Sequence, residues 1–255
     1  VSGSVEEDGM STVAQGEVPA DGSEGNQDVD DFTADEDSAG AGSLAALFFP
    51  GADQPLTISL TGNASGLPAL SSKGEEVTYD FTDEDADGNL DRLTASAGGR
   101  IVFVLNVNAD GSWDFDLRDQ LDHVDDGTNS ENWALQIYDS SDYVYSIDFS
   151  SIIRATDFDG DSVDGAAEGS FTITVQDDIP VANNDTDSVT EDGPTLATGN
   201  VLTGVDVVGG DANDSDGEAD LAGADEDVSI AWTGVEEGEV SGDYGTLTVD
   251  ADGNY

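Results

Sequence analysis

Four stretches of this chain gather carboxylates at spacings that suit a hard cation. The first is Asp83-Glu-Asp-Ala-Asp-Gly-Asn-Leu-Asp91. Asp83, Asp85, Asp87, Gly88, Asn89 and Asp91 fall at positions 1, 3, 5, 6, 7 and 9 of a calcium loop. Alternate carboxylates on a tight turn point inward, the glycine permits the bend, and Asn89 would offer its carbonyl. Position 12 is Thr94, where that pattern carries a bidentate glutamate, and the flanks alternate as strands rather than helices. The spacing reads as a calcium loop without the flanking helices, and the alternative is a solvated acidic turn. The second stretch is Asp157-Phe-Asp-Gly-Asp161, in which Asp157, Asp159 and Asp161 surround a glycine. It leaves the calcium-loop pattern at Ser162, and its plainer reading is a polar turn with Arg154 as partial counter-charge.

The third stretch is a joint. Asp177 and Asp178 close an alternating run, Pro180 follows, and Ser188-Val-Thr-Glu-Asp-Gly193 supplies Glu191 and Asp192. A near copy, Ser4-Val-Glu-Glu-Asp-Gly9, stands 184 positions earlier and supplies Glu7 and Asp8. The repeated phrase suggests a unit that ends and restarts, with carboxylates from two units sharing calcium across a linker that Pro180 stiffens. A simple solvated linker is the alternative. The fourth stretch, residues 211–227, is the densest acidic run and includes Asp214 and Asp216. It fits no single loop, and weak calcium binding and a plain acidic loop stay equally open.

These clusters sit in a chain of 255 residues with 58 acids against five bases, a formal charge of −53. Such a surface repels nucleic acid and anionic membrane. Self-repulsion at this density opposes a compact state. At roughly 0.5–1 M salt the screening length falls to about 3–4 Å, which removes long-range repulsion but not repulsion between carboxylates sharing a turn. There is no cysteine, hence no disulfide and no thiolate chemistry, and the single histidine, His123, leaves a histidine-based zinc site without ligands. The most apolar run, residues 44–49, falls far short of a membrane span, and the opening residues do not read as a secretory leader. Hydrophobic residues nevertheless make up 36% of the chain and alternate, which predicts folded modules with acidic loops.

The elements that must position the clusters are strands. Residues 1–18 are expected to give one strand, and residues 15–42 read as a long acidic loop or linker. From Leu44 the period is two: Leu56–Leu60, Val77–Phe81, Arg100–Val107, Ser112–Leu117, Trp133–Tyr138, Tyr143–Phe149 and Phe171–Val175. Asn108-Ala-Asp-Gly111 between two such runs is a hairpin signal, and Trp113, Phe115 and Leu117 share the inner face. No helical periodicity is sustained. The fold class is therefore all-β, antiparallel sandwich. The final residues Tyr244-Gly-Thr-Leu-Thr-Val-Asp-Ala-Asp-Gly-Asn-Tyr255 repeat the hairpin phrase at residues 107–113, so the second module is expected to be truncated, lacking its return strand. The domains are then an acidic N-terminal strand and linker (1–42), a β-sandwich module (43–180) and the start of a second module (181–255).

Catalysis finds little to stand on. Carboxylate pairs arise by chance at this acid density, a Ser/His/Asp set would rest on His123, which reads as a surface residue in a polar loop, and no phosphate-binding glycine loop occurs. The chain is expected not to be an enzyme. Trp113, Trp133 and Trp232 read as core residues, with a sugar-stacking platform as the alternative.

Taken together, Val-Thr-Glu-Asp-Gly, Arg-Ala-Thr-Asp-Phe-Asp-Gly-Asp, Thr-Ile-Thr-Val-Gln-Asp-Asp-Ile-Pro and the closing Tyr-Gly-Thr-Leu-Thr-Val-Asp-Ala-Asp-Gly-Asn-Tyr resemble the repeat region of large RTX-type bacterial adhesins exported by type I secretion. The resemblance covers most of residues 75–255 and is weaker before them. It implies cadherin-like or VCBS-type modules in tandem at the bacterial cell surface, rigidified by Ca²⁺, with a role in cell attachment or biofilm. By position, Asp177 and Asp178 resemble end-of-module ligands, and Asp157, Asp159 and Asp161 internal ones. The glycine-rich nonapeptide repeat of RTX proteins is absent, which implies the body of the array. The partners implied are neighbouring modules of the same chain, with host or surface glycans or proteins as targets; a carbohydrate- or peptide-binding module is the alternative reading.

Overall fold

The runs that alternate in sequence are strands in the structure, a computed structural model that describes residues 1–10, 37–39, 42–124, 131–193, 195–205, 217–224, 229–234 and 238–255. The chain divides into two compact units, Val1–Ile179 and Pro180–Tyr255. In unit 1 the strands are β1 (Ser2–Glu6), β2 (Asp37–Ala39), β3 (Thr57–Leu60), β4 (Ser71–Ser72), β5 (Glu75–Glu76), β6 (Thr78–Thr82), β7 (Arg92–Ala97), β8 (Arg100–Val107), β9 (Trp113–Leu117), β10 (Leu135–Gln136), β11 (Tyr143–Val144), β12 (Ile147–Asp148), β13 (Ile153–Thr156), β14 (Ser162–Asp164) and β15 (Thr172–Gln176). Unit 2 holds β16 (Gly238–Ser241) and β17 (Thr246–Val249). The only helical segments among the described residues are three short 3₁₀ turns. The fold is all-β, sandwich-type and dominated by antiparallel sheets.

The largest sheet runs β2-β9-β8-β7-β6, antiparallel throughout. Its centre is the expected hairpin: β8 and β9 pair from Val107↔Trp113 to Phe103↔Leu117. Trp113, Phe115 and Leu117 are buried, while Asp114 and Asp116 alternate outward. Residues 37–39, expected within a linker, instead form β2 and extend the sheet beyond β9, with Asp37↔Asp116 and Ala39↔Asp114 in register. An open strand edge supplies unpaired N–H and C=O groups, and a polar segment can pair with them without apolar side chains of its own. The run Trp133–Tyr138 shrinks to Leu135–Gln136, paired with β11.

A second sheet, β1-β15-β12, contains the one parallel pairing among the described strands: Ser2↔Thr172 through Glu6↔Gln176. A third, β14-β13-β3, is antiparallel. Aromatic rings fill the space between the first two sheets. Phe103 and Phe115 lie 5.0 Å apart, Phe149 stands 6.1 Å from each, and Phe171 lies 5.6 Å from Phe149 and 4.9 Å from Trp113. All four phenylalanines are fully buried. Unit 2 differs sharply, since its buried apolar residues among those described are Ala224 and Val249.

The tilted cluster carries unit 1. Phe115→Ala, which opens a cavity between Phe103 and Phe149, is expected to destabilise unit 1 by about 3–5 kcal/mol, read as a lower urea midpoint at unchanged slope.

Candidate cation sites

The loop at residues 83–91 joins β6 to β7, so the first acidic run is a hairpin loop. Its carboxylates organise its own backbone. The Asp83 carboxylate accepts the Asp87 N–H (3.2 Å) and the Gly88 N–H (2.9 Å), Asp85 accepts the Asp87 N–H (3.0 Å), and Asp87 accepts the Asn89 N–H (2.8 Å). Gly88 sits at φ +98°, a conformation that side chains disfavour. One oxygen each of Asp83, Asp85 and Asp87 falls within 4.8 Å of the others. Two oxygens held about 2.4 Å from one Ca²⁺ lie at most about 4.8 Å apart, so this set fits a shared ion. Asp91 is not among the three. Asp91 turns back to accept the Glu84 N–H (2.9 Å), and Glu84 pairs with Arg92 (3.3 Å).

The second run is built on a turn that occurs three times. Asn108–Ser112, Asp157–Asp161 and Asp250–Asn254 are each closed by a bond from the first N–H to the fifth carbonyl (2.8, 2.9 and 3.1 Å) and from the fourth N–H, a glycine, to the first carbonyl (2.8, 3.2 and 3.4 Å). The glycines, Gly111, Gly160 and Gly253, have φ of +86°, +98° and +85°. The turns differ in charge. At the fifth position Ser112 and Asn254 donate side-chain bonds to Asp110 and Asp250, which holds those carboxyls below the ordinary range. The turn at residues 157–161 carries Asp161 there instead. Asp159 therefore meets only acids, and a hydrogen bond shared with Asp157, together with the charges of Asp157 and Asp161, pushes it above the ordinary range. Asp157, Asp159 and Asp161 also bring oxygens within 4.8 Å of one another. Arg154, expected as their counter-charge, lies elsewhere: it faces Asp164 across β13–β14 and grips it with two bonds (2.6 and 2.9 Å), holding Asp164 below its usual range.

The third group forms where β1 and β15 end side by side. The parallel register that matches Glu6 with Gln176 delivers Glu7 and Asp8 to the same end of the sheet as Asp177 and Asp178. The opening phrase and the closing pair of unit 1 thus belong to one corner. Glu7, Asp8 and Asp178 are at most 2% exposed. His123, expected on the surface, is here, with a side chain only 3% exposed. Its Nδ1 lies 3.0 Å from the Leu121 carbonyl and 3.4 Å from Asp177, and 4.0 Å from Glu7; its Nε2 lies 3.3 Å from the Val175 carbonyl. Both ring nitrogens face main-chain carbonyls, so whichever carries a proton has an acceptor there. Glu7, His123 and Asp177 each bring a ligand atom within 4.8 Å of the others. The Leu121 N–H donates to Glu7 (2.8 Å) and the Asn132 amide donates to Asp177 (3.1 Å). A lone histidine in a polar sequence gives no sign of this; only the register shows it.

In unit 2, Glu191 and Asp192 are exposed, and Asp214 and Asp216 lie outside the described residues. All five bases are engaged with other carboxylates: Lys73 (3.5 Å) and Arg100 with Asp119, Arg92 with Glu84, Arg118 with Asp116 (2.6 Å), and Arg154 with Asp164. None of these pairs includes an aspartate of either triplet, although the Arg92–Glu84 pair lies within the first loop itself. Trp113 is core, and the Trp232 indole donates to the Asp250 carbonyl (2.8 Å). Among the described residues no helix is long and apolar enough to cross a membrane. Comparison with family profiles, curated proteins and solved structures finds no match to the chain.

Two outcomes follow from this geometry. Because the folded chain holds the Asp159 proton more tightly than the unfolded chain does, the group favours the folded state at low pH and loses that contribution as pH rises through its raised midpoint. Replacing Asp157 by Asn is expected to bring the Asp159 midpoint down, followed by carboxyl carbon shifts in NMR. His123→Ala leaves Glu7 and Asp177 facing each other in a buried corner and is expected to cost about 1–3 kcal/mol in urea unfolding, with His123→Gln, which restores one donor, recovering part of the loss.

Proposed function

We propose that the chain is a non-catalytic, calcium-binding structural segment of a secreted bacterial surface adhesin, whose loops take up Ca²⁺ to stiffen a series of β-sandwich modules for cell attachment or biofilm. The observation that carries this reading is the turn at residues 157–161. Of three turns with one backbone, it is the one with acids at the first, third and fifth positions, and its central carboxyl is held protonated beyond its ordinary range for want of a positive neighbour. A divalent cation supplies what the proton supplies there, and hard oxygen ligands select calcium over softer metals. The loop at residues 83–91 offers a second triplet of the same kind. The ion pairs of the five bases join other carboxylates than these six aspartates, and a cation from solution would supply the positive charge there. The extracellular setting and the adhesive role rest on the resemblance of the module phrases to RTX-type adhesins.

Binding to the folded chain alone stabilises it by about 2.7 kcal/mol per site at a hundredfold excess over the dissociation constant. Thermal unfolding in millimolar calcium against excess EDTA, at matched ionic strength, is expected to show a melting temperature several degrees higher with calcium. Asp157→Asn combined with Asp159→Asn should remove one site from a calcorimetric titration, and Asp85→Asn with Asp87→Asn another. A melting temperature that chelation leaves unchanged would remove the calcium reading and leave the acidity as adaptation to salt.

A further inference from the structure

Unit 2 repeats a piece of unit 1 bond for bond. In unit 1, Ser43 caps the 3₁₀ turn Leu44–Leu47 by accepting the Ala45 N–H (3.2 Å), its hydroxyl donates to the Asp110 carbonyl (3.2 Å), and the Leu44 N–H donates to the Gly111 carbonyl (2.8 Å). In unit 2, Asn200 accepts the Leu202 N–H (3.0 Å), its amide donates to the Asp252 carbonyl (2.8 Å), and the Val201 N–H donates to the Gly253 carbonyl (3.0 Å). The receiving turns, Asn108–Ser112 and Asp250–Asn254, share one backbone. Ser43, Leu44, Asp110 and Gly111 therefore correspond to Asn200, Val201, Asp252 and Gly253.

This correspondence lays β17 onto the end of β8. Val107 and Val249, the last residues of the two strands, are both buried. Two positions earlier the units part: Leu105 is 0% exposed and Leu247 41%. In unit 1, β9 covers this position, with Phe115 opposite Leu105. In unit 2, β17 pairs with β16 and, among the described residues, with no other strand. The Gly242 N–H to Gly245 carbonyl bond (2.8 Å) sets the phase of that hairpin. Leu247 and Val249 turn their main-chain groups toward β16, and Thr246 and Thr248 turn theirs to the open side. In unit 1 the order is β2-β9-β8, so β9 lies between β8 and the segment preceding the Ser43 cap. In unit 2 the segment preceding the Asn200 cap is also present, and an open groove of about 360 Å³ lies between it and β17, lined by Leu196, Ala197, Thr198, Leu247 and Val249. At its mouth Gly199 and Tyr255 exchange both main-chain bonds (3.2 and 2.9 Å), which starts an antiparallel ladder.

We propose that this groove is a strand-docking site for an extended segment with apolar side chains at alternate positions, entering in cis from Tyr255 and running antiparallel to β17 as β9 runs against β8. Main-chain bonds to Thr246 and Thr248 hold such a strand, and every second side chain covers Leu247 and Leu196, which is recognition by strand addition. Tyr255 stands where Trp113 heads β9. The site needs no cation and does not depend on the proposed function.

The test uses the 255-residue chain and two versions extended at Tyr255, one by Asp-Phe-Asp-Leu-Arg, the sequence that follows Trp113, and one by Asp-Ser-Asp-Ser-Arg. Amide hydrogen exchange at Thr246 and Thr248 is expected to slow at least tenfold with the apolar extension and to stay unchanged with the serine control, while exchange at Leu105 serves as internal reference. Leu247→Asp in the apolar extension should abolish the protection. Unchanged exchange with the apolar extension, or equal slowing with the serine control, overturns the proposal. Protection of the unextended chain that rises with concentration, together with dimers in sedimentation, overturns it in favour of a second copy at the same edge.

Discussion

The scarcity of positive charge governs this structure. Fifty-eight carboxylates share five bases, and an acid enters the interior only where a counter-charge or several donors accompany it. Asp119 is fully buried because Arg100 and Lys73 both reach it. Glu7 is fully buried because a backbone N–H and the His123 ring meet it. The remaining bases pair at half-exposed positions, where such contacts contribute little energy and mainly fix local geometry. All five bases and the histidine lie in unit 1, and unit 2 contains no lysine, arginine or histidine. The unit with the aromatic core therefore also holds every lysine, arginine and histidine of the sequence.

Much of the fold was legible because strands alternate. Arg100–Val107 and the run after the Asn-Ala-Asp-Gly turn appear with their expected pairing and inner face. What escaped did so for identifiable reasons. In β7 the inward residues are Leu93, Ala95 and Ala97, and alanines are too small to mark an alternation even though all three are buried. The segments β2 and β14 have three residues each, and their pairing is set by the strand they join rather than by their own composition. Parallel pairing of β1 with β15 joins residues about 170 positions apart through long-range contacts that no local pattern encodes.

The sites were legible in type but less so in arrangement. Asp-Ala-Asp-Gly-Asn occurs twice, at residues 85–89 and 250–254, and takes two forms. At residues 250–254 the first aspartate receives the N–H groups of Asp252 and Asn254, and the turn closes on itself. At residues 85–89 Asp83 stands just upstream and captures the Asp87 and Gly88 N–H groups, so the loop opens to nine residues and three carboxylates converge. One extra acid two positions earlier changes which backbone donors are available and turns a closed turn into a candidate cation loop. Spacing alone extended that loop to Asp91, whose carboxylate accepts the Glu84 N–H.

The same competition explains the corner at Glu7 and Asp177. Sequence logic assigned these carboxylates to a joint between modules because each stands beside a repeated phrase. The parallel register of β1 and β15 places them together inside one unit, where the interior forces a choice among protonation, a cation or a donor-rich shell. His123, Asn132 and the Leu121 N–H supply that shell. Val5 and Val175, paired in register and buried just before the corner, hold the two strands together, while the histidine ring sits beside the carboxylates their ends bring together. The first strand of the chain is thus fastened to the last strand of its unit by packing along its length and by electrostatics at its tip. A change at that tip acts on the closure of unit 1 as a whole, whereas a change in either aspartate triplet acts on one exposed loop.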